Sequence, residues 1–173
     1  MICISERLDK DNIERIHKLA ECGDSDASLF LGDYYCNQND LESILQSYKW
    51  FEIASKQNIA YAMLMCGWIC NLKGLISFHH KEYKKAFESF SVSIEWAEKA
   101  LHYLEKEEHQ FDLCNKEIAN SLKNNSTYNA GCCHYELKKY DLAAHYFGLA
   151  DIENAKTMYR ASLLMIQKDR EQK

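Results

Sequence analysis

Slid by 35 residues, two stretches of this chain coincide: Ala27 falls on Ala62, Leu29 on Leu64 and Gly32 on Gly67. This recurrence constrains the fold more than any other property, because periods of that size belong to stacked helix pairs. Around it, Ala20 to Ala62 reads as two amphipathic helices joined by Asn37-Gln38-Asn39-Asp40, with Ala27, Gly32 and Ala54 where backbones must approach closely. Each mid-helix glycine costs about 1 kcal/mol against alanine, so its place implies a neighbouring helix at short range. The chain has no proline and only six glycines, which leaves the remainder able to run as long helices.

Composition narrows the class. A length of 173 residues suits one domain, and 47% hydrophobic residues suffice for a continuous core. No apolar run reaches the ~20 residues that span a bilayer. Met1 to Asp11 lacks a basic region followed by an apolar one, so no signal peptide is read there and the expected location is cytoplasmic. A net charge of −5 with no basic cluster disfavours nucleic acid. Cys3, Cys22, Cys36, Cys66, Cys70, Cys114, Cys132 and Cys133 sit mostly in apolar or helix-periodic stretches. They are expected to be reduced and buried as small hydrophobes.

In chain order, Leu8, Ile13, Ile16 and Leu19 predict a helix over roughly 9–22, ended by Gly23 in the left-handed conformation. Asp24 or Ser25 caps a second helix carrying Leu31, Tyr34 and Tyr35, and Asp40 caps a third through Trp50, Phe51 and Ala54. A fourth helix is expected over about 59–72, then a longer connection at 73–80. One long helix follows from Lys81 to about Glu107, then another over about 109–123 that stops at Lys123-Asn124-Asn125. Ser126 to Ala150 reads as a helix, a short turn near Lys138 and Lys139, and a helix. The last helix is expected over about 152–168, with a charged end that frays.

These residues resemble two related families. Ala20, Gly23, Ala27, Leu31-Gly32, Tyr35, Trp50-Phe51 and Ala54 look like a Sel1-like repeat. Gly131, Leu137, Tyr140, Ala143, Phe147 and Ala150 look like a tetratricopeptide repeat, whose closing proline is missing, with Ala155 near its place. The resemblance implies an all-α, right-handed α–α superhelix of antiparallel helix pairs that binds proteins or peptides on its concave face. On this reading, residues 1–173 form one solenoid domain. Its parts are an N-terminal capping helix (1–24), a Sel1-like repeat with the start of the next (25–72), and an irregular long-helix insertion (73–123). A tetratricopeptide-like repeat (124–151) and a C-terminal capping helix with a frayed tail (152–173) complete it.

In such solenoids the first helix of each pair lines the groove. The candidates off its packing positions are Asp26, Asp33 and Asn37, then Tyr61, Trp68 and Asn71, then Asn125, Tyr128, Tyr135 and Glu136. Aromatic and amide groups mixed with carboxylates suit a partner surface, against the plainer reading that Trp68 and Tyr128 fill core. The carboxylate clamp of chaperone-binding tetratricopeptide domains, built from lysine, asparagine and arginine, finds no match on this acidic and aromatic face. A basic or neutral segment is therefore the expected partner.

The same residues also bear on other chemistries. Cys66 and Cys70 lie one helical turn apart and supply half of a metal site, with Cys132-Cys133-His134 or His79-His80 to complete it, yet core packing explains them more simply. Cys133 and His134 are neighbours on a helix, diverge by about 100°, and so cannot pair for nucleophilic catalysis. No glycine-rich phosphate loop is present, and Glu105 to Glu108 reads as a solvated face. The expectation is a non-enzymatic adaptor without cofactor or metal. The alternatives are an immunity protein that neutralises a toxin by direct binding, and a cysteine-based metal or redox protein.

Overall fold

The computed structural model describes residues 10–38, 40–106 and 113–172. The helix start expected at 9 with Leu8, Cys3, Asn39, the 107–112 stretch with Phe111, and Lys173 lie outside those residues. Among the described residues every regular element is an α-helix and no strand occurs. Their order is α1 Lys10–Glu21, α2 Ser25–Cys36, α3 Leu41–Ser55, α4 Ala60–His79, α5 Tyr83–Leu104, α6 Leu113–Glu136, α7 Tyr140–Leu149 and α8 Glu153–Glu171. The chain divides into two compact units, Met1–Ala62 and Met63–Lys173.

In the first unit, α1 stops at Gly23, whose φ is +90°. The amides of Gly23 and Asp24 fold back onto the carbonyls of Ala20 (2.9 Å) and Leu19 (3.1 Å), the double bond that closes a helix through a left-handed residue. Asp24 then caps α2, its Oδ1 accepting from the Ala27 amide at 2.8 Å, and Asp40 caps α3 by accepting from Ser43 at 2.9 Å. Ala20, Ala27, Leu31 and Trp50 form the core, with Ile16, Phe30, Tyr35 and Ile53 packed against it. Gly32 receives the ring of Phe51. A Cβ at that position would lie 2.6 Å from Phe51 Cε1.

The second unit contains one hairpin twice, at an offset of 57 residues. In α4–α5, Gly74 receives Phe90, and a Cβ there would stand 2.5 Å from the ring. In α6–α7, Gly131 receives Phe147 in the same way, at 2.7 Å. Both turns pass through a lysine in the left-handed region, Lys81 at φ 61° and Lys138 at φ 57°. Both close with the same pair of backbone bonds, each 2.9 Å long: Lys81 to Phe78 with Glu82 to Ser77, and Lys138 to Tyr135 with Lys139 to His134. Ala86, Phe90, Ala130 and Cys133 form one core cluster, while Ala143, Phe147, Ala150 and Ala155 form another that draws in α8. A third joins Met63 and Leu64 of α4 to Ala100 of α5 and Ala119 of α6.

Several expected boundaries are corrected. Residues 73–79 continue α4, because Gly74 spares room for Phe90 instead of making a turn, and the reversal comes at His80–Glu82. No break occurs at Lys123-Asn124-Asn125: α6 runs through it as one helix of 24 residues. Those amides are occupied elsewhere, Asn124 Oδ1 accepting from the Asp151 amide at 3.3 Å and Asn125 Nδ2 donating to Ser121 Oγ at 3.3 Å, so neither competes for the local backbone. At the end, α8 continues to Glu171, with a side-chain bond from Gln167 to Glu171 at 2.9 Å where fraying was expected. By length and composition α4 is also apolar enough to cross a membrane, which the run-length reading missed. Half of the apolar window is buried within the protein, as in a core helix.

Candidate functional site

Asp26, Asp33 and Asn37 lie at i, i+7 and i+11 on α2 and so share one stripe of that helix. Asp26 and Asn37 are exposed at its two ends, the first in the opening turn where a carboxylate complements the helix dipole, the second as the C-cap. Asp33 is the member joined to another candidate: its Oδ1 accepts from the Tyr61 hydroxyl at 2.7 Å. The Tyr61 ring meets the edge of Phe51 at 6.0 Å, the same ring that Gly32 admits, so the glycine contact helps place the pair. Burial first, and then the Asp33 carboxylate, push the Tyr61 phenol well above its ordinary range. It serves as a neutral hydrogen-bond donor. Beside it, Cys36 contacts Ser47 Oγ at 3.2 Å, and burial raises its thiol, which leaves it a poor nucleophile.

In the second unit, Trp68 is 44% exposed on α4. Asn71, three residues on, is half-buried and acts in packing. Its Nδ2 donates to Ser126 Oγ at 2.7 Å, Ser126 and Ser93 are 2.9 Å apart, and Ser93 Oγ donates to the Gly67 carbonyl at 2.7 Å. Since the Ser93 proton is committed to Gly67, Ser126 must donate to Ser93. The protons thus run one way through a buried chain linking α4, α5 and α6, with each hydroxyl satisfied. Sequence reading saw Asn71 as a contact residue and did not see the two serines at all.

Asn125, Tyr128, Tyr135 and Glu136 lie along α6, the tyrosines half-buried and the other two exposed. Tyr128 packs on Phe147 at 5.5 Å and Tyr135 on Tyr140 at 5.3 Å, both rings belonging to α7. Each tyrosine therefore shares its surface between core and solvent. The Tyr128 phenol is raised by burial and by the neighbouring Cys132 thiol. Glu136 faces Tyr83 of α5, whose phenol is raised by burial and then by that carboxylate. The structure thus joins Asp33 to Tyr61 within the first unit and places four candidates on α6 of the second, with Asn71 reaching α6 through Ser126.

The cysteines divide by place. Cys66, Cys70 and Cys133 are buried, as expected for small hydrophobes, whereas Cys22 and Cys114 are exposed, which corrects the general expectation of burial. Burial and then the neighbouring Cys132 push the Cys133 thiol up to about 12. Among the described residues no three His, Cys, Asp or Glu side chains converge as metal ligands. An open cleft of about 610 Å3 lies between the end of α7 and the start of α8, lined by Leu149, Asp151, Lys156, Tyr159 and Arg160. Its Lys156 is tied to Glu153 at 2.9 Å.

One signal was available and overlooked: Gly74, Ala86 and Phe90 have the same spacing as Gly131, Ala143 and Phe147. Comparison with family models, with characterised proteins and with solved structures finds no match, so the candidate site rests on its own geometry.

Proposed function

We propose that this chain is a non-enzymatic, cytoplasmic adaptor of the Sel1-like and tetratricopeptide kind, an α-solenoid that holds a protein or peptide on exposed faces of its helix pairs. The observation that supports this most is the recurrence of one contact, a glycine of the first helix admitting a phenylalanine of the second, in α2–α3, α4–α5 and α6–α7. A hairpin built this way uses its inner faces for packing and depends on stacked neighbours to cover the rest, which leaves first-helix faces open to a partner. The side chains there suit recognition of a basic or neutral segment: the acidic stripe of α2, the exposed ring of Trp68 and the tyrosines of α6.

The test is a binding assay on the full chain with an array of peptides of graded charge. Binding that favours lysine- or arginine-bearing peptides, and that drops at least tenfold in Trp68→Ala and Asp33→Ala with unchanged thermal melts, supports the reading. Equal binding by wild type and both variants, or a preference for acidic peptides, overturns it.

A further inference from the structure

We propose that His134 makes the second unit sensitive to pH: its ring is held where only the neutral form fits, so acid loosens the packing of α5, α6 and α7. The side chain is 6% exposed. Its ring packs against Phe87 of α5, with centroids 4.5 Å apart, and Tyr146 of α7, at 5.3 Å, and those two rings meet each other at 5.6 Å. Nδ1 is buried and has no hydrogen-bond partner.

A neutral imidazole can leave one nitrogen lone pair unused at modest cost. The imidazolium cannot, because protonation turns that nitrogen into a charged donor in a place with no acceptor. No carboxylate is among the charges that act on the ring. Phe78 of α4 and Phe87 of α5 are apolar, and the titratable groups in the same cluster are Tyr83 on α5, Cys133 on α6 and Tyr146 on α7, which carry no charge in acid. Glu136 of α6 is directed to Tyr83. The charge that does act on His134 is the ammonium of Lys139, at the start of α7, and it has the wrong sign. Burial first and Lys139 second hold the ring below the ordinary histidine range.

The folded chain therefore binds fewer protons than the unfolded chain in mild acid. Stability is complete above the unfolded-state histidine pKa, near 6.5, and falls as the pH drops toward the lower folded-state value. The hairpin so loosened carries Tyr128, Tyr135 and Glu136. Any weakening of partner binding in acid rests on the function proposed above, whereas the loss of stability does not.

The experiment uses the full chain without a partner, so its failure is separate from failure of the binding reading. Ring resonances of His134 are titrated by NMR in the native protein and in urea, and thermal melts are run from about pH 7.5 to about pH 5 on wild type and His134→Phe. The expected result is a native midpoint below the unfolded one, and a melting temperature that falls more steeply with acid in the wild type than in the variant. A native midpoint equal to or above the unfolded one would show that the flanking aromatic faces stabilise the imidazolium more than burial penalises it, and would overturn the proposal. Parallel pH dependence in the two proteins would do the same. If His134→Phe does not fold, the native ring titration decides alone.

Discussion

The α2–α3 hairpin and the two hairpins of the second unit solve one packing problem with different turns. In all three a phenylalanine ring lies on a glycine of the preceding helix, closer than any Cβ would allow. The sequence interval differs: 19 residues from Gly32 to Phe51, but 16 from Gly74 to Phe90 and from Gly131 to Phe147. The three extra residues lie inside α3, where Phe51 is ten residues past the helix start, against seven in α5 and α7. The turns differ in kind as well. The Asp40 side chain caps α3, whereas the N-cap residues of α5 and α7, Glu82 and Lys139, make no side-chain cap bond and follow a left-handed lysine, Lys81 or Lys138, closed by backbone bonds. The ring-on-glycine contact is what these hairpins share, and the turn is free to vary around it.

The sharpest way to break that comparison is to remove the rings. Phe147→Ala and Phe90→Ala should each cost about 3–5 kcal/mol, and Phe51→Ala a similar amount, measured by urea unfolding. A much smaller loss for Phe51 would mean that the first hairpin is held by Trp50 and Leu31, and that the shared contact is incidental there. Filling the glycines comes next. Gly32→Ala, Gly74→Ala and Gly131→Ala should each destabilise by about 1–3 kcal/mol, because the ring and not a flexible tail must move. An alanine that stabilises any of them would show a ring with room to retreat.

The second unit also contains the buried polar chain. Ser126→Ala should cost about 1–3 kcal/mol, since it strands Asn71 Nδ2 and one side of Ser93 in a buried place. No change would mean that water replaces the hydroxyl. Smaller effects distinguish the turns. Lys138→Gly should stabilise by up to about 1 kcal/mol, because it relieves a left-handed side-chain residue. Asp40→Ala should instead destabilise slightly, because the cap of α3 is a side chain. If both substitutions destabilise, the two kinds of turn are not held as described.

Much of the local structure was legible in advance because it depends on neighbours in sequence. Gly23, Asp24 and Asp40 announce their helix ends, since a left-handed residue or an accepting carboxylate acts within a few positions. Punctuation by composition misleads at Gly74 and at Asn124-Asn125, because a glycine signals a turn only where no side chain packs on it, and an asparagine only where its side-chain amide is free to bond the local backbone. Gly74 is claimed by Phe90, sixteen residues away, and Asn124 by Asp151, twenty-seven away. The same limit applied to the candidate site. Asp33 stands out from its place on a helix face, but its bond to Tyr61, the packing role of Asn71 and the ring cluster around His134 are all long-range.

The sequence by itself determined that this chain is helical and that its helices pair through small residues, because helical period, capping chemistry and the absence of proline act locally. Only the tertiary structure decided which glycine meets which ring, that α4 and α6 run unbroken through turn-like residues, and that Asn71, Ser93 and Ser126 form one buried chain. Those outcomes depend on partners brought close by folding, and a residue's partner changes its meaning: a glycine ends a helix at Gly23, where no atom fills the place of a Cβ, and continues one at Gly74, where a ring does.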